Sequence, residues 1–435
     1  MKKINILKSA TLFVLILFTQ IVFSQNKTYP VNLETVLKLA GADNLIIKEY
    51  ELKYQQSLAD QSKAKEWWLP SIYFGATTHY LDGAAMNADG KIFQPVNRNN
   101  LWAGFGLSAE WDFSKGIYGT LAAKQKADAV KYQSQAERNR AILKAIEAYY
   151  DLQLEQLKYA ALQSLVNQSD SLTQQIKIQV DAGLRYQSEY LLAQSNYNHI
   201  KISLLQTKVE WQKKSAELVN LLNMDGSISL VSSDDIIIPL KLSINIPDTA
   251  QQKKVFEKRL EYLSLQSSLF SLQTQRKIVT TGLLMPKLKL GTEDALFGKI
   301  ASPYYNTYQL NAALVWQLSL GRFVYNGDVK KQDANILVQQ NQIEQFKNQF
   351  QLESNKGIAQ LQSAEEQMKI ANEAVKLSAE ALQQSIERQK LGTVKPFEVF
   401  QAQQFYMQAQ VDYLKSASEF NKAQYVLLIV TGGNL

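Results

Sequence analysis

The 435-residue chain contains no cysteine and only two histidines. The absence of cysteine excludes disulfides, thiol catalysis, cysteine-ligated metals and a lipid carried on an N-terminal cysteine. His79 and His199 lie far apart in the sequence, and neither has a second ligand at the spacing that metal sites use. We therefore predict no metal site and no cofactor.

The constellations that enzymes need are also missing. No nucleophile stands beside a candidate base in a recognisable motif, and there is no glycine-rich phosphate loop. The net charge is +7, but Lys2, Lys3 and Lys8 supply three of these charges, which leaves +4 for the rest of the chain. Such a balance does not favour nucleic acid as a partner. We predict that the protein is not an enzyme and does not bind nucleic acid.

One short apolar run stands at the N-terminus. Lys2 and Lys3 precede the run from Ala10 to Phe23, and Ser24 follows it. This pattern predicts a secretory signal peptide over residues 1–24, with an N-terminal membrane anchor as the alternative. Downstream there is no apolar run of the roughly 18 residues that a membrane-spanning helix requires. The sequence therefore predicts an exported protein.

Proline and glycine are absent from one very long stretch. Between Thr120 and Val180 the chain has neither, and its apolar residues recur at steps of three and four. A helix of this length would extend for roughly 90 Å, far beyond the ordinary globular helix. Gly183 ends the pattern, and a second helical pattern follows. Since a short turn joins the two, we predict an antiparallel helical hairpin over about 118–222.

The same order of landmarks occurs twice in the chain. After the first hairpin, a β-prone segment with two prolines separates the halves, and a second hairpin follows over about 328–430. The predicted division is a first repeat over 25–226, an inter-repeat linker over 227–248 and a second repeat over 249–435. Several independent landmarks keep their order, which makes duplication a strong signal.

Alternating apolar and polar residues precede each hairpin. In the run from Leu101 to Phe113 the odd positions are apolar, and most even positions are glycine, serine or an acid. We predict strands at about 71–81, 101–113, 287–295 and 308–318, with loops at 82–100 and 298–306. The alternation is typical of a sandwich strand that faces a core, and equally of a strand in a membrane barrel.

The number of strands constrains the membrane alternative. Four strands cannot close a barrel, and an open strand edge in lipid would leave backbone groups without hydrogen-bond partners. Several chains must then share one barrel, with eight strands from two copies or twelve from three. Eight strands leave an interior filled by side chains, whereas a larger barrel leaves a lumen. Because so much of the chain is polar helix, we favour a barrel of twelve strands with a water-filled lumen.

Three ordered groups of motifs carry a family resemblance across nearly the whole mature chain. They are Trp68 to Pro70 with Met285-Pro286 before the first strand of each half, the turns at 111–116 and 316–321, and the helix-breaking tips Ala182-Gly183-Leu184 and Leu391-Gly392-Thr393. In this arrangement the chain resembles the TolC-like outer-membrane efflux proteins. Both tips depart from the family pattern at their first residue, where valine is usual.

The resemblance implies an α+β membrane protein with a duplicated strand–strand–long helical hairpin repeat. It implies a homotrimer whose twelve-stranded outer-membrane β-barrel continues into a periplasmic α-helical barrel. It also implies outer-membrane lipid around the barrel. The expected partners are a periplasmic adaptor (membrane fusion protein) and an inner-membrane pump of the RND, ABC or MFS type.

The tip residues have a structural and a functional interpretation. Glycine is favoured where a helix ends, because it adopts the left-handed backbone conformation without strain. The resemblance adds that such tips contact the adaptor. We therefore predict adaptor docking at the two tips, formed by Ala182, Gly183, Leu184, Leu391, Gly392 and Thr393.

An acid stands six residues after each tip glycine, at Glu189 and at Glu398. An acid in the first turn of a helix is favoured by the helix dipole alone. The resemblance implies instead that these acids line a periplasmic constriction, where rings of charge select cations. Gln401 occupies a position where the family often has a second acid, so we predict Glu189, Glu398 and Gln401 as gate residues.

Three tryptophans stand at predicted strand ends, namely Trp102, Trp111 and Trp316. Core packing would explain them in a soluble protein. If the strands form a membrane barrel, aromatic residues at strand ends are expected at the membrane interface.

The sequence therefore predicts an outer-membrane channel, the exit duct of an efflux or type I secretion system. A periplasmic structural or adaptor coiled coil without a barrel is the alternative, but it leaves the two alternating runs unexplained. We expect the protein in the outer membrane, with a large periplasmic part.

Overall fold

The computed structural model describes residues 27–243, 249–300, 303–318 and 320–433, and the statements below concern these residues. The predicted signal peptide over 1–24 lies outside the described residues, as does the end of the predicted linker, 244–248.

Long helices and four longer strands make up most of the chain. The elements of the first half are β1 (Lys27–Val31), α1 (Leu33–Asp43), α2 (Leu45–Lys65), β2 (Ser71–Met86), β3 (Ile92–Asp112), α3 (Thr120–Asp181), α4 (Gln187–Leu221) and β4 (Ile228–Ser232). Those of the second half are α5 (Thr249–Lys258), α6 (Leu260–Ile278), β5 (Lys287–Gly298), β6 (Tyr304–Val315), α7 (Leu320–Tyr325), α8 (Gly327–Lys390) and α9 (Pro396–Val430). The long helices α3 and α8 contain 62 and 64 residues.

The chain divides into two compact units that cut across the predicted repeats. Among the described residues, the first unit contains 27–48, 137–243 and 352–433, and the second contains 49–136, 249–300, 303–318 and 320–351. Each unit therefore draws on both halves of the sequence, and α3 and α8 run through both units. The repeat boundaries at 226 and 249 stay a prediction.

The core of the first unit forms where α1, α3 and α4 meet a two-stranded sheet. β1 pairs in parallel with β4, from Lys27 opposite Ile228 to Val31 opposite Ser232. Ile146, Leu218 and Leu230 are fully buried here. The segment between the halves thus contains a strand that joins the two ends of the first half.

Polar side chains complete this core. The Tyr149 hydroxyl donates to Asp234 at 2.5 Å, and burial together with this carboxylate raises the pKa of Tyr149. The Lys422 ammonium on α9 binds Asp151 on α3, and Asn421 donates to the carbonyl of Ile238. These contacts attach α9 to α3 and to the segment that follows β4.

The second unit contains a four-stranded antiparallel sheet in the order β2-β3-β5-β6. Neighbouring residues in one cross-strand row are Phe74, Phe105, Asp294 and Tyr308, and those in the next row are Tyr73, Gly106, Glu293 and Gln309. Since side chains alternate between the faces of a sheet, these rows belong to opposite faces. β2 and β6 are the edge strands.

The two faces differ in chemistry. One face carries apolar side chains that are widely exposed, including Phe74 at 87% and Leu310 at 72%. The other carries charged and polar groups: Lys287 lies 3.4 Å from Asp112, Lys289 lies 3.5 Å from Glu110, and the Tyr73 hydroxyl donates to Glu293. Nothing in the described part of the second unit covers the apolar face.

The prediction of a long loop over 82–100 is wrong. β2 continues to Met86 and β3 already begins at Ile92, so only residues 87–91 connect the strands. The Asn87 side chain closes this turn by accepting from the backbone N–H groups of Asp89 and Lys91. Gly83, Asn97, Asn99 and Asn100 lie in paired strands, where backbone hydrogen bonds rather than side-chain alternation hold them.

A close contact fixes the start of α3 in the second unit. The Trp67 ring lies directly on the backbone of Gly116, where a Cβ would overlap the ring, and it also packs edge-on against Phe113 at 5.9 Å. Gly119 lies in the same short π-helical segment, but a Cβ there would have no neighbour within 4 Å. Glycine is therefore required at Gly116 for packing and not at Gly119.

This pair gives a matched stability test. We expect Gly116→Ala to lower the free energy of unfolding by about 1–3 kcal/mol, because the added methyl overpacks against Trp67. Gly119→Ala should be neutral or should stabilise by about 0.4–1 kcal/mol, since it only restricts the unfolded chain. Denaturant unfolding in detergent, followed by tryptophan fluorescence, measures both variants. Equal effects of the two substitutions would contradict this packing.

Candidate functional site

The tips of the two helical hairpins lie in the first unit and have closely similar backbones. At the first tip, Gly183 has φ +74°, Gly183 N–H donates to the Val180 carbonyl, and Leu184 N–H donates to the Gln179 carbonyl. At the second, Gly392 also has φ +74°, with the same two bonds from Gly392 to Gln389 and from Thr393 to Arg388. Both helices thus end in a Schellman motif, which requires a residue with positive φ.

Residues near each tip glycine expose apolar surface. Leu184 and Leu391 are 76% and 78% exposed, and Tyr186 and Phe397 are also exposed. Ala182 and Thr393 are exposed as well. Behind the tips, all four long helices pack together through Leu172, Ile176, Leu382, Val399 and their neighbours. The exposed apolar side chains of the tips are therefore held in place by four helices that pack together behind them.

Arg185 links the two tips, and the sequence reasoning missed it. Its guanidinium donates to Gln179 at 2.5 Å, to Glu189 at 3.0 Å and to the backbone carbonyl of Gln389 at 3.3 Å. The last bond joins the first hairpin to the C-terminal end of α8 in the second hairpin. The spacing of four residues between Arg185 and Glu189 was the available signal, since such pairs meet on a helix.

Glu398 has an arginine partner of a different origin. Arg388, near the end of α8, lies 3.8 Å from the Glu398 carboxylate, and both side chains are about half exposed. The position that corresponds to Arg185 in this hairpin is Val394, which is buried. Gln401 is exposed on α9. Each predicted gate acid therefore has a cation nearby in its own chain, although the exposed pair is the weaker one.

Gln389 is the unusual residue of the second tip. It is 1% exposed, and neither its side-chain nitrogen nor its side-chain oxygen has a hydrogen-bond partner among the described residues. The corresponding residue of the first tip, three positions before the glycine, is Val180. A buried amide without partners costs about 1–3 kcal/mol. The packed arrangement of the tips therefore contains a destabilising group.

The three predicted interface tryptophans lie in different environments. Trp111 is on the apolar face of the sheet, opposite Leu288, and its ring N–H donates to the Trp68 carbonyl at 2.7 Å. Trp316 is exposed one residue beyond the end of β6. Trp102 pairs with Thr77 and Phe297 and falls on the polar face of the sheet, and its role at a membrane interface stays a prediction.

A second group of aromatic residues was missed. Tyr80, Tyr304 and Tyr308 are exposed on the apolar face, toward the ends of the strands that lie farthest from Trp111. Together with Trp111 they flank the aliphatic part of this face on two sides. Asp294 interrupts the face between Phe105 and Tyr308.

The described residues contain no group of three or more His, Asp or Glu side chains that could hold a metal ion. His79 is exposed on the polar face of the sheet, opposite Asn100, and His199 is exposed on α4. Among the described helices, none has the length and apolar composition needed to cross a bilayer.

No family model and no curated protein sequence matches the chain. Solved structures do resemble it. The outer membrane channel CmeC of Campylobacter jejuni is 15% identical with a TM-score of 0.83, covering 92% of this chain and 85% of that one. The channel-forming protein CusC is 14% identical with a TM-score of 0.76 and 94% coverage of both chains. The MtrE outer membrane channel of Neisseria gonorrhoeae, in its open state, is 12% identical with a TM-score of 0.73, covering 92% and 89%.

At such low identity these likenesses concern the fold, which in all cases mixes strands with a larger share of helix. The resemblance predicted from the sequence is confirmed at this level: the chain has the fold of TolC-like outer-membrane channels.

Proposed function

We propose that the protein is an outer-membrane exit duct, which passes substrates from an inner-membrane pump across the periplasm and the outer membrane. One observation carries this proposal. The sheet has an exposed apolar face, a polar face with paired charges and two open edges. A β-sheet of this kind can face lipid with its apolar side and water with its polar side, provided that the backbone groups along its two edges are hydrogen-bonded.

Three copies of the chain complete the barrel in this proposal. β6 of one copy pairs with β2 of the next, so that four strands from each of three copies give twelve. Lipid then covers Phe74, Leu310 and their neighbours, while Tyr73, Glu293 and Lys289 line the lumen. Trp111 and the group of Tyr80, Tyr304 and Tyr308 lie at the two membrane interfaces, where aromatic residues are favoured.

The helical tips serve as the docking and gating end. The exposed apolar residues Leu184 and Leu391, which flank the two tip glycines, offer a surface to the helices of a periplasmic adaptor. That contact is apolar, and the pump behind the adaptor is of the RND, ABC or MFS type.

Arg185 holds the gate closed by joining the two hairpins of one chain. The contact that opens on gating is its bond to the Gln389 carbonyl, since the pair with Glu189 lies within the first hairpin. The buried Gln389 amide works in the opposite direction, because it gains water when the tips separate. The closed state is thus stabilised by a charge-assisted hydrogen bond between the hairpins and destabilised by an unpartnered amide.

Assembly provides the first test. The purified protein in mild detergent should be a trimer by light scattering, and the protein should remain with outer membranes after a carbonate wash. The physical reason is that a single chain leaves the β2 and β6 edges unpaired in lipid. A monodisperse monomer that washes off the membrane would contradict the proposed barrel.

Docking at the tips predicts a loss of export without a loss of assembly. A Cβ added at Gly183 or Gly392 meets no neighbouring atom within 4 Å, so for Gly183→Val and Gly392→Val we expect a cost from the positive φ of about 1–2 kcal/mol each. We expect the double variant to form trimers but to export poorly in cells that contain the adaptor and the pump. Gly183→Asn with Gly392→Asn is the matched control, because asparagine tolerates this conformation. Full export by the valine variant would show that the tips do not dock.

Charge at the gate predicts ion selectivity. In the trimer, Glu189 and Glu398 from three copies place six carboxylates around the pore. The pore should therefore be narrow and cation-selective, and multivalent cations should block it. Glu189→Gln with Glu398→Gln should weaken both selectivity and block, and the amount of trimer should not change. Single-channel recording in a planar bilayer measures this.

Two further variants sharpen the same recording. Arg185→Ala removes the partner of Glu189, so it should strengthen cation selectivity and lengthen openings. Gln389→Val copies Val180 of the other tip and removes the buried amide, so it should shorten openings. If the double glutamine variant retains the parental selectivity and block, the two acids act only on the helix dipole, where each contributes about 0.3–1 kcal/mol.

A further inference from the structure

A cavity of about 500 Å³ lies between α8 and α9 in the first unit, and α3 contributes to its lining. This volume falls within the range of roughly 300–1,000 Å³ that is usual for small-molecule sites. One lining residue, Ala364, comes 28 residues before Gly392, which is roughly 42 Å along α8. The cavity is therefore separate from the helical tips and from the proposed gate.

Close contacts of α8 bound the cavity at two heights along the helix. A Cβ at Gly357 would already touch Leu427 Cδ1 at 3.4 Å, so α8 and α9 lie close together there. Farther along α8, Met368 packs against the buried cluster that contains Leu154 and Ala417. The cavity lies between these contacts, along the intervening turns of α8.

Short side chains on α8 leave this space unfilled. Ala359, Ser363 and Ala364 line the cavity from this helix, where leucine or phenylalanine would occupy much of it. Gln360 and Gln367 also line it and add amide groups that can donate and accept hydrogen bonds. The lining thus combines small apolar groups with polar ones, as ligand sites do.

The lysine on the α9 side of the cavity is already paired. The Lys422 ammonium binds Asp151 on α3 and lies 3.1 Å from the Glu419 carboxylate. Asp151 also binds Lys214 at 3.3 Å. These four groups neutralise one another, so the lysine of this network needs no ligand.

Glu147 on α3 differs from that network. It lines the cavity, yet it forms no hydrogen bond or ion pair with another of the described residues. Burial raises the pKa of Glu147. The charges of Lys422 and Lys144 lower it, and those of Asp151 and Glu419 raise it. A half-buried carboxylate without a bound cation is costly, and an ammonium group in the cavity would supply the missing partner.

A second unpaired charge lines the same cavity from α8. Lys356 is exposed and forms no ion pair with another of the described residues, Glu147 included. The two groups come from different helices and have opposite signs. The cavity therefore offers one unpaired acceptor for a cation and one unpaired donor for an anion.

We propose that this cavity binds a compact zwitterion, whose ammonium group pairs with Glu147 and whose carboxylate pairs with Lys356. The methylene groups between its two charges lie over Ala359 and Ala364. A singly charged molecule of the same length satisfies only one of the two groups. The proposal goes beyond the duct and does not depend on it, since all the lining residues belong to one chain.

Ligand-observed NMR titration of the full-length protein in mild detergent tests the site. The probes are 4-aminobutanoate and 6-aminohexanoate, and their singly charged relatives are butylamine, hexylamine, butanoate and hexanoate. We expect at least one zwitterion to bind about tenfold more tightly than both of its relatives, because only the zwitterion makes two charge-assisted contacts. If neither zwitterion exceeds its relatives, the cavity holds water only and the proposal is wrong.

Two substitutions assign the two ends of the ligand. Glu147→Gln should weaken binding of the zwitterion about tenfold and leave hexanoate unchanged, since it removes only the partner of the ammonium. Lys356→Gln should leave hexylamine unchanged and weaken the zwitterion less, about threefold, because an exposed ion pair is weaker. A general distortion of the helices would instead weaken all the probes alike, and that outcome would overturn the assignment.

Matched controls come from the same helices. Glu373→Gln and Lys376→Gln change exposed charges of α8 that do not line the cavity, so zwitterion binding should persist. Ala359→Leu fills the cavity from an exposed position without removing a charge, so it should abolish binding of every probe. Undiminished binding by Ala359→Leu would place the ligand elsewhere. A protein that binds the zwitterion but forms no trimer would contradict the duct and leave this site standing.

Discussion

Backbone hydrogen bonding at the edges of the sheet is the constraint on which the rest of the structure depends. β2 and β6 each present an unpaired edge, and the apolar face beside them has no cover in the described part of its unit. In water such a sheet would aggregate, and in lipid its free N–H and C=O groups would each cost several kcal/mol. In the proposed duct, pairing between copies satisfies the edges and lipid covers the face. The proposed oligomer therefore follows from the same strands that suggest a membrane.

The two hairpin tips have the same backbone conformation but different side chains. Two Schellman motifs with equal φ values give the tips nearly identical backbones, but the side chains around them differ. In the first hairpin the arginine beside the acid, Arg185, lies in the turn, whereas in the second hairpin Arg388 lies near the end of the helix that leads into the turn. Three residues before the tip glycine, the first hairpin has Val180 and the second has the buried Gln389. In the proposed gate, these differences give the two hairpins unequal parts, because Arg185 of the first hairpin binds the Gln389 carbonyl of the second.

Much of the fold could be predicted from local signals. Gly183 and Gly392 end their helices because the Schellman motif needs positive φ, and the alternation over 101–112 matches the two faces of β3. The extension of β2 and β3 through 82–100 could not be predicted in this way, since it has polar residues on both faces and is held by pairing with its neighbour. The position of Trp102 depends on the same register.

Long-range contacts limit how much of the candidate site could be predicted from the sequence. Arg185 meets the carbonyl of Gln389, 204 positions later in the sequence, and no local pattern connects the two. The division into units is equally invisible to the sequence, because each unit combines segments from both halves.

The most direct test is an image of the protein in lipid nanodiscs by cryo-electron microscopy. We expect threefold symmetry and a closed barrel of twelve strands, with β6 of each copy beside β2 of the next. A barrel of eight strands built from two copies, or a single chain with an open sheet, would contradict the proposed outer-membrane duct.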